Sequence, residues 1–419
     1  MQIFKLLCTM NLYNTMTLSN GLRVIHQPSD SNVVYCGYEL NVGTRNEEPG
    51  YEGMAHFCEH VSFKGTKRRK SWHISNALES VGGDLNAYTN KEDTVYYAAV
   101  LKEHTARAID LLTDIVFYST YPQVEIDKEV EVICDEIESY NDSPAELIYD
   151  EFENLLFANH ALGHNILGTA ERVRSFKTAD AQRFTQRYYR PENSIFFLYG
   201  DVDFKRVVRL LERATSEFAP SKPIIEPALN QPLPPNMPDF IEKNHGTHQA
   251  HVMVGTRGYD IHDKRRMSLY LLNNLLGGPG MNARLNLSLR ERHGLVYTVE
   301  SSMVSYCDTG VWAIYFGCDP KDVGRCLKLV RKELDRVIQK PLSDTQLRAV
   351  KKQIKGQIGV ACDNRESFAL DFGKSYLHYG WERDLNSLFR HIDEVTAESM
   401  QQVAAELMQQ ERLTTLVID

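Results

Sequence analysis

Two periods alternate along the first half of the chain. Residues 21–27 and 33–42 alternate between apolar and other side chains in the manner of strands. Gly43 and Pro49-Gly50 break that pattern. A helical period follows over roughly residues 52–63, and residues 72–80 predict a second helix closed by Gly82-Gly83. Residues 85–89 and 94–101 predict a hairpin around residues 90–93. Residues 106–118 carry Ile109, Leu112, Ile115 and Val116 at helical spacing. The next helix, residues 125–140, has an apolar stripe that takes in Val132 and Ile133. Helices near 145–158 and 178–189, a strand over 194–199 and a helix reaching about residue 218 complete this half.

Between residues 220 and 238 stand seven of the chain's 15 prolines. Proline lacks the amide hydrogen that a helix or central strand needs, so this stretch predicts an extended, semi-rigid linker. Beyond it the pattern recurs. Val42-Gly43-Thr44-Arg45 returns as Val254-Gly255-Thr256-Arg257, and Asp93-Thr94 before a strand returns as Asp308-Thr309. The helix at Thr178 leading to the strand at Ser194 is echoed by a helix at Thr396 leading to a strand over residues 413–418. The offsets run from 212 to about 219. The expected fold is α+β: two homologous α/β halves, each a mainly antiparallel sheet with helices on one face. The expected domains are residues 1–219, a linker at 220–238, and residues 239–419.

The length of 419 residues suffices for two such domains, and 42% hydrophobic with 25% charged residues is the balance of a soluble globular protein. A net charge of −9 argues against a nucleic-acid partner. The eight cysteines form no C-x-x-C pair, so they read as reduced thiols in a reducing compartment. No apolar run approaches membrane-spanning length, and the run at residues 3–8 is too short for a secretory leader. Translation could begin at Met1 or Met10. These features together predict a cytoplasmic protein with no membrane association.

The chemistry concentrates in Ala55-His56-Phe57-Cys58-Glu59-His60. On a helix, His56 and His60 stand at i and i+4, their side chains starting about 5–6 Å apart. One metal ion with bonds of about 2.0–2.1 Å can accept a nitrogen from each. Glu59 shares that face, whereas Cys58 points roughly opposite, toward the core. Hydrolysis on zinc needs three protein ligands, an open position for water and a carboxylate to take the water's proton. H-x-x-E-H supplies two ligands and the carboxylate. For the third, the helix over residues 125–140 offers Glu129 and Glu136, seven apart on the apolar stripe. A carboxylate there is costly unless paired or metal-bound. The second half has no His or Glu at the equivalent place, near residues 268–274, so only the first half can carry the metal.

With these residues the chain resembles the pitrilysin-type metallopeptidases, and among them the short members related to mitochondrial processing peptidase. The resemblance covers nearly the whole chain. Its markers are Gly53 to His60, Phe63-Lys64-Gly65-Thr66, Gly82-Gly83 with Asn86-Ala87-Tyr88-Thr89, Tyr188 to Asn193, and Gly277-Gly278 leading to Arg290 and Gly294-Leu295-Val296-Tyr297. The resemblance implies that His56, His60 and Glu136 bind one Zn2+ per chain. It makes Glu59 the general base and Glu129 a neighbouring carboxylate that orients the site. Substrate would add as a strand beside Asn86 and Ala87, and Arg290 with Tyr297 would hold it and stabilise the oxyanion.

The activity so implied is a zinc metalloendopeptidase, a hydrolase cleaving unstructured or presequence-like peptides. Large members of the family enclose a chamber with four copies of the fold. Two copies here imply a dimer: a homodimer, since this chain keeps both the zinc motif and the Arg/Tyr pair, or a heterodimer with a paralogue. A bacterial source follows from the resemblance to the bacterial short members. The alternative is a non-catalytic structural or peptide-binding subunit of the same fold, which would capture peptides without turning them over.

Overall fold

The computed structural model describes residues 13–224, 232–235, 237–380 and 385–419. The apolar run at residues 3–8, the two candidate start sites and the middle of the proline-rich linker lie outside the described residues. The chain divides into two compact units. One is drawn from Met1–Glu138, Asn165–Gln231 and Val360–Asp384, the other from Ser139–His164, Pro232–Gly359 and Leu385–Asp419.

The first unit is built on six strands: β1 (Asn14–Thr17), β2 (Arg23–Pro28), β3 (Val33–Leu40), β4 (Asp84–Thr89), β5 (Thr94–Leu101) and β6 (Ser194–Gly200). Their order is β1-β2-β6-β3-β5-β4. The β2–β6 pair is parallel and the rest are antiparallel. One face of the sheet, with Val24, Val34, Tyr38 and Phe196, buries against the helices Met54–Ser62, Thr105–Phe117 and Gln123–Asn141 through Phe57, Leu112 and Ile133. The opposite face is apolar too. Ile195 to Leu198 is a continuous run, as expected of a strand covered on both sides. Its cover comes from far along the chain: the helix Arg365–Tyr379 lays Ala369, Phe372, Tyr376 and Leu377 on Ile25, Val95, Ile195 and Phe197.

On the helix Gln123–Asn141 the buried stripe is Ile126, Glu129, Val130, Ile133, Cys134 and Ile137. Val132 is exposed, contrary to the expectation that it shares the stripe. Ile133 and Val132 are about 100° apart on the helix, and the core accepts only the side that Ile126, Val130 and Ile137 define.

The second unit repeats the plan with β7 (Phe240–Lys243), β8 (Ala250–Gly258), β9 (Val296–Ser305), β10 (Gly310–Cys318) and β11 (Thr414–Ile418). The order β7-β11-β8-β10-β9 matches β2-β6-β3-β5-β4 strand for strand, and the parallel pair, β7–β11, falls at the same place. One face packs on the helix Pro144–Leu156, whose Ile148, Phe152 and Leu156 meet Met253, Val311, Ala313 and Leu416. Each sheet thus takes one covering helix from the other half of the sequence. The fold is α+β, two mixed sheets each packed with helices. Among the described residues no helix is long and apolar enough to cross a membrane.

Candidate active site

The motif sits on the helix Met54–Ser62. Gly53, at φ +94°, turns the chain into the helix, and a Cβ there would lie 2.7 Å from the Leu167 carbonyl oxygen. No side chain at the helix start caps it. Glu47 does so from outside: its carboxylate accepts the Gly53 N–H at 2.9 Å and the Ala55 N–H at 2.7 Å. A negative charge at a helix N-terminus, bonded to its free amides, is favourable on both counts. The helical period brings His56 and His60 together, ring centroids 4.6 Å apart. Cys58 turns inward to Met54 and Ala181 and is fully buried.

Glu136 reaches the two histidines from the neighbouring helix. Its Oε2 lies 3.3 Å from His60 Nε2 and 3.7 Å from His56 Nε2. A tetrahedral ion with bonds of about 2.0–2.1 Å sets its ligand atoms roughly 3.3–3.4 Å apart, so the three atoms fit one zinc ion. Two imidazoles and a carboxylate are a donor set suited to zinc. Behind them, His60 Nδ1 lies 3.0 Å from Glu129 Oε1, and Lys64 Nζ lies 2.6 Å from Glu129 Oε2. With Nδ1 donating to Glu129, the tautomer leaves the His60 Nε2 lone pair facing Glu136.

Glu59, on the same helix face, is buried, and its Oε2 accepts the Thr89 hydroxyl at 2.7 Å. Thr89 ends β4. Among the described residues that strand pairs with β5 alone and is the sheet edge, with Asn86 exposed and Ala87 half-buried on it. In the second unit, Arg290 lies on a π-helical turn, Asn286–Glu291, closed by the His293 ring at 2.7 Å from the Ser288 carbonyl. The Arg290 guanidinium stands 5.7 Å from the Tyr297 ring centroid, and Tyr297 is 80% exposed.

Residues 23–170 match the family described as Insulinase (Peptidase family M16), and residues 175–354 match the Peptidase M16 inactive domain. An uncharacterised zinc protease of Streptomyces coelicolor is 34% identical, over 94% of this chain and 86% of its own. Another, of Bacillus subtilis, is 30% identical over 96% and 97%. The chain belongs to the M16 family of zinc proteases. A protease of Helicobacter pylori has the same fold, with a TM-score of 0.89 at 22% identity, covering 97% of this chain and 99% of that one.

The candidate site is electrostatically uneven. Burial and the charge of His60 push the His56 imidazole down to about 4, against the pull of Glu136. Burial also disfavours a proton on His60, but its hydrogen bonds to Glu129 and Glu136 outweigh that and bring it up to about 9. Burial raises the Glu59 carboxyl, opposed by the Thr89 hydroxyl and by His60. Without an ion, His60 keeps a proton between two carboxylates, at the place where a cation would sit. Sequence reasoning missed Glu47, Lys64 as partner of Glu129, and Thr89 as partner of Glu59. Glu47 carried a faint signal, an acidic residue shortly before an uncapped helix. Thr89 carried none.

Proposed function

We propose that this M16 protease is a zinc-dependent endopeptidase that cleaves unstructured or presequence-like peptides. The observation that carries the reading is the meeting of His56 Nε2, His60 Nε2 and Glu136 Oε2 beside the buried Glu59 carboxylate. His56, His60 and Glu136 are the ligands, one zinc per chain, and Glu129 orients His60. Zinc on these three would supply Lewis acidity to a water and to the scissile carbonyl. Glu59 accepts the proton of the attacking water and returns it to the leaving amine. Its burial suits it to both halves, because a carboxyl raised above its usual range holds a proton more readily than an exposed one.

The peptide lies along β4, where the edge strand has backbone N–H and C=O groups free of a second strand among the described residues. Main-chain bonds beside Asn86 and Ala87 then give affinity with little demand on sequence. Arg290 holds the substrate and the Tyr297 hydroxyl donates to the developing oxyanion. The chain acts as a homodimer enclosing a chamber, each zinc served by the Arg290–Tyr297 pair of the other chain. It works in the bacterial cytoplasm.

The test is mass-spectrometric analysis of products from a mixture of unstructured peptides, with the protein and its Glu59→Gln variant run at equal zinc content. Products from the unmodified protein alone support the reading. Equal cleavage by both would remove Glu59 as the base. Peptide binding without products from either, at full zinc, would make the chain a peptide-binding subunit.

A further inference from the structure

Thr89 is the one residue outside the zinc motif whose side chain bonds the Glu59 carboxylate among the described hydrogen bonds. Both partners are buried. Threonine is stiff about χ1, so where its hydroxyl points is decided by where its backbone is held.

That backbone is held from several sides. Thr89 pairs with Thr94 across the hairpin, and the Thr94 hydroxyl donates to the Val42 carbonyl at 2.9 Å. At the tip, the Asn90 N–H donates to the Asp93 carbonyl and its side-chain amide to the Asp93 carboxylate, each at 2.8 Å. The Asn90 and Lys91 carbonyls accept the N–H groups of Thr44 and Arg45 at 3.1 and 2.8 Å. Gly43 allows that approach, since a Cβ there would lie 2.3 Å from the Asn90 carbonyl oxygen. Lys374, on the helix that covers the far face of the sheet, donates to the buried Asp93 carboxylate at 2.8 Å.

We infer that Thr89 is a positioning residue that sets the Glu59 carboxylate in register with a peptide on β4. Resting on the assignment of Glu59 as base, this makes one strand serve two purposes. Its free edge fixes where the scissile bond lies along the site, and its last side chain fixes the carboxylate that must meet that bond's water. Oε2 accepts the Thr89 hydroxyl and none of the described hydrogen bonds reaches Oε1, so Oε1 is the oxygen with more capacity to take the proton. A misplacement of the base by a fraction of an ångström acts on the chemical step and leaves peptide affinity alone.

The experiment compares Thr89→Val, which keeps the shape and removes the hydroxyl, with Thr89→Ser, which restores it. Each zinc-loaded protein is assayed for kcat, KM and zinc content on one quenched-fluorescent peptide, with Glu59→Gln alongside. The inference expects kcat of Thr89→Val to fall about ten- to a hundredfold with KM and zinc within about twofold, and Thr89→Ser to recover most of it. Unchanged kcat in Thr89→Val, with Glu59→Gln inactive, would overturn it and leave the base assignment standing. Activity retained by Glu59→Gln would instead remove the base, and this inference with it. Loss of zinc or folding in Thr89→Val with no recovery in Thr89→Ser would give Thr89 a merely structural role and overturn it as well.

Discussion

Replacing Glu39 by Gln should stabilise the protein, and by an amount that grows with pH. Glu39 lies on the central strand β3 and is fully buried. Among the described residues neither carboxyl oxygen has a hydrogen-bond partner. The carboxyl rests against the helix Arg365–Tyr379, where a Cβ on Gly373 would come within 2.6 Å of Oε1. Burial raises its pKa well above the usual range, Asp93 adds to that, and Lys374 opposes it. The sign follows from linkage. The unfolded chain releases this proton near pH 4.3, whereas the folded chain keeps it, so unfolding is favoured by about 1.4 kcal/mol for each pH unit above that value until the folded carboxyl ionises. Glutamine has nearly the same shape and does not titrate. The stability difference between Glu39→Gln and the unmodified protein should therefore widen between pH 5 and pH 7, by at most about 2.7 kcal/mol, the slope of a single proton over two units. Paired urea unfolding at each pH, followed by far-UV circular dichroism in chelator, reads this directly, since other titrations cancel in the comparison. A difference that stays flat over those two units would mean that the carboxylate is ionised inside the fold with Lys374 as its counter-ion, and the reasoning would fail.

Zinc affinity should rise about tenfold per pH unit between pH 6 and 8, because an ion must displace the proton that Glu129 and Glu136 hold on His60 up to about pH 9; a competition titration showing no pH dependence would contradict this. Glu129→Gln should weaken zinc binding about ten- to a hundredfold well above pH 9, where that proton no longer competes, measured against a chromophoric chelator. Asp93→Asn should remove stability that the unmodified protein keeps at neutral pH. Burial alone would raise that carboxyl, but Lys374 and His378 outweigh it and hold it far below its usual range. Its contribution is therefore complete above about pH 4 and is lost only as acid drives the folded group to protonate, so the two proteins' urea midpoints should converge in strong acid. Mixing two variants of low activity, Glu59→Gln and Tyr297→Phe, should restore up to about a quarter of full activity if chains exchange and each site is shared across the dimer; no restoration after exchange would place both halves of the site in one chain.

What the sequence determined by itself is what depends on local period or on repetition. His56, Glu59 and His60 share a face because 3.6 residues make a turn, and that holds in any helix. The doubled plan was legible in Val42 to Arg45 and Val254 to Arg257, and the two sheets repeat the same strand order. Chemistry without relatives left Glu129 and Glu136 open as equals, since both sit seven apart on one helix. Only the tertiary structure decided between their surroundings: Glu129 lies buried behind His60 with Lys64, while Glu136 reaches both histidines with Oε2. Other features belong wholly to contacts between distant stretches. Glu47 caps a helix that starts seven residues later, Thr89 meets a carboxylate 30 residues away, and Phe372 covers a face formed by β2, β5 and β6. Val132 and Ile133 look alike in a hydrophobic pattern, and one is exposed while the other is buried. A period gives the direction of a face but not what stands opposite it, and burial, charge and proton affinity at this site all depend on what stands opposite.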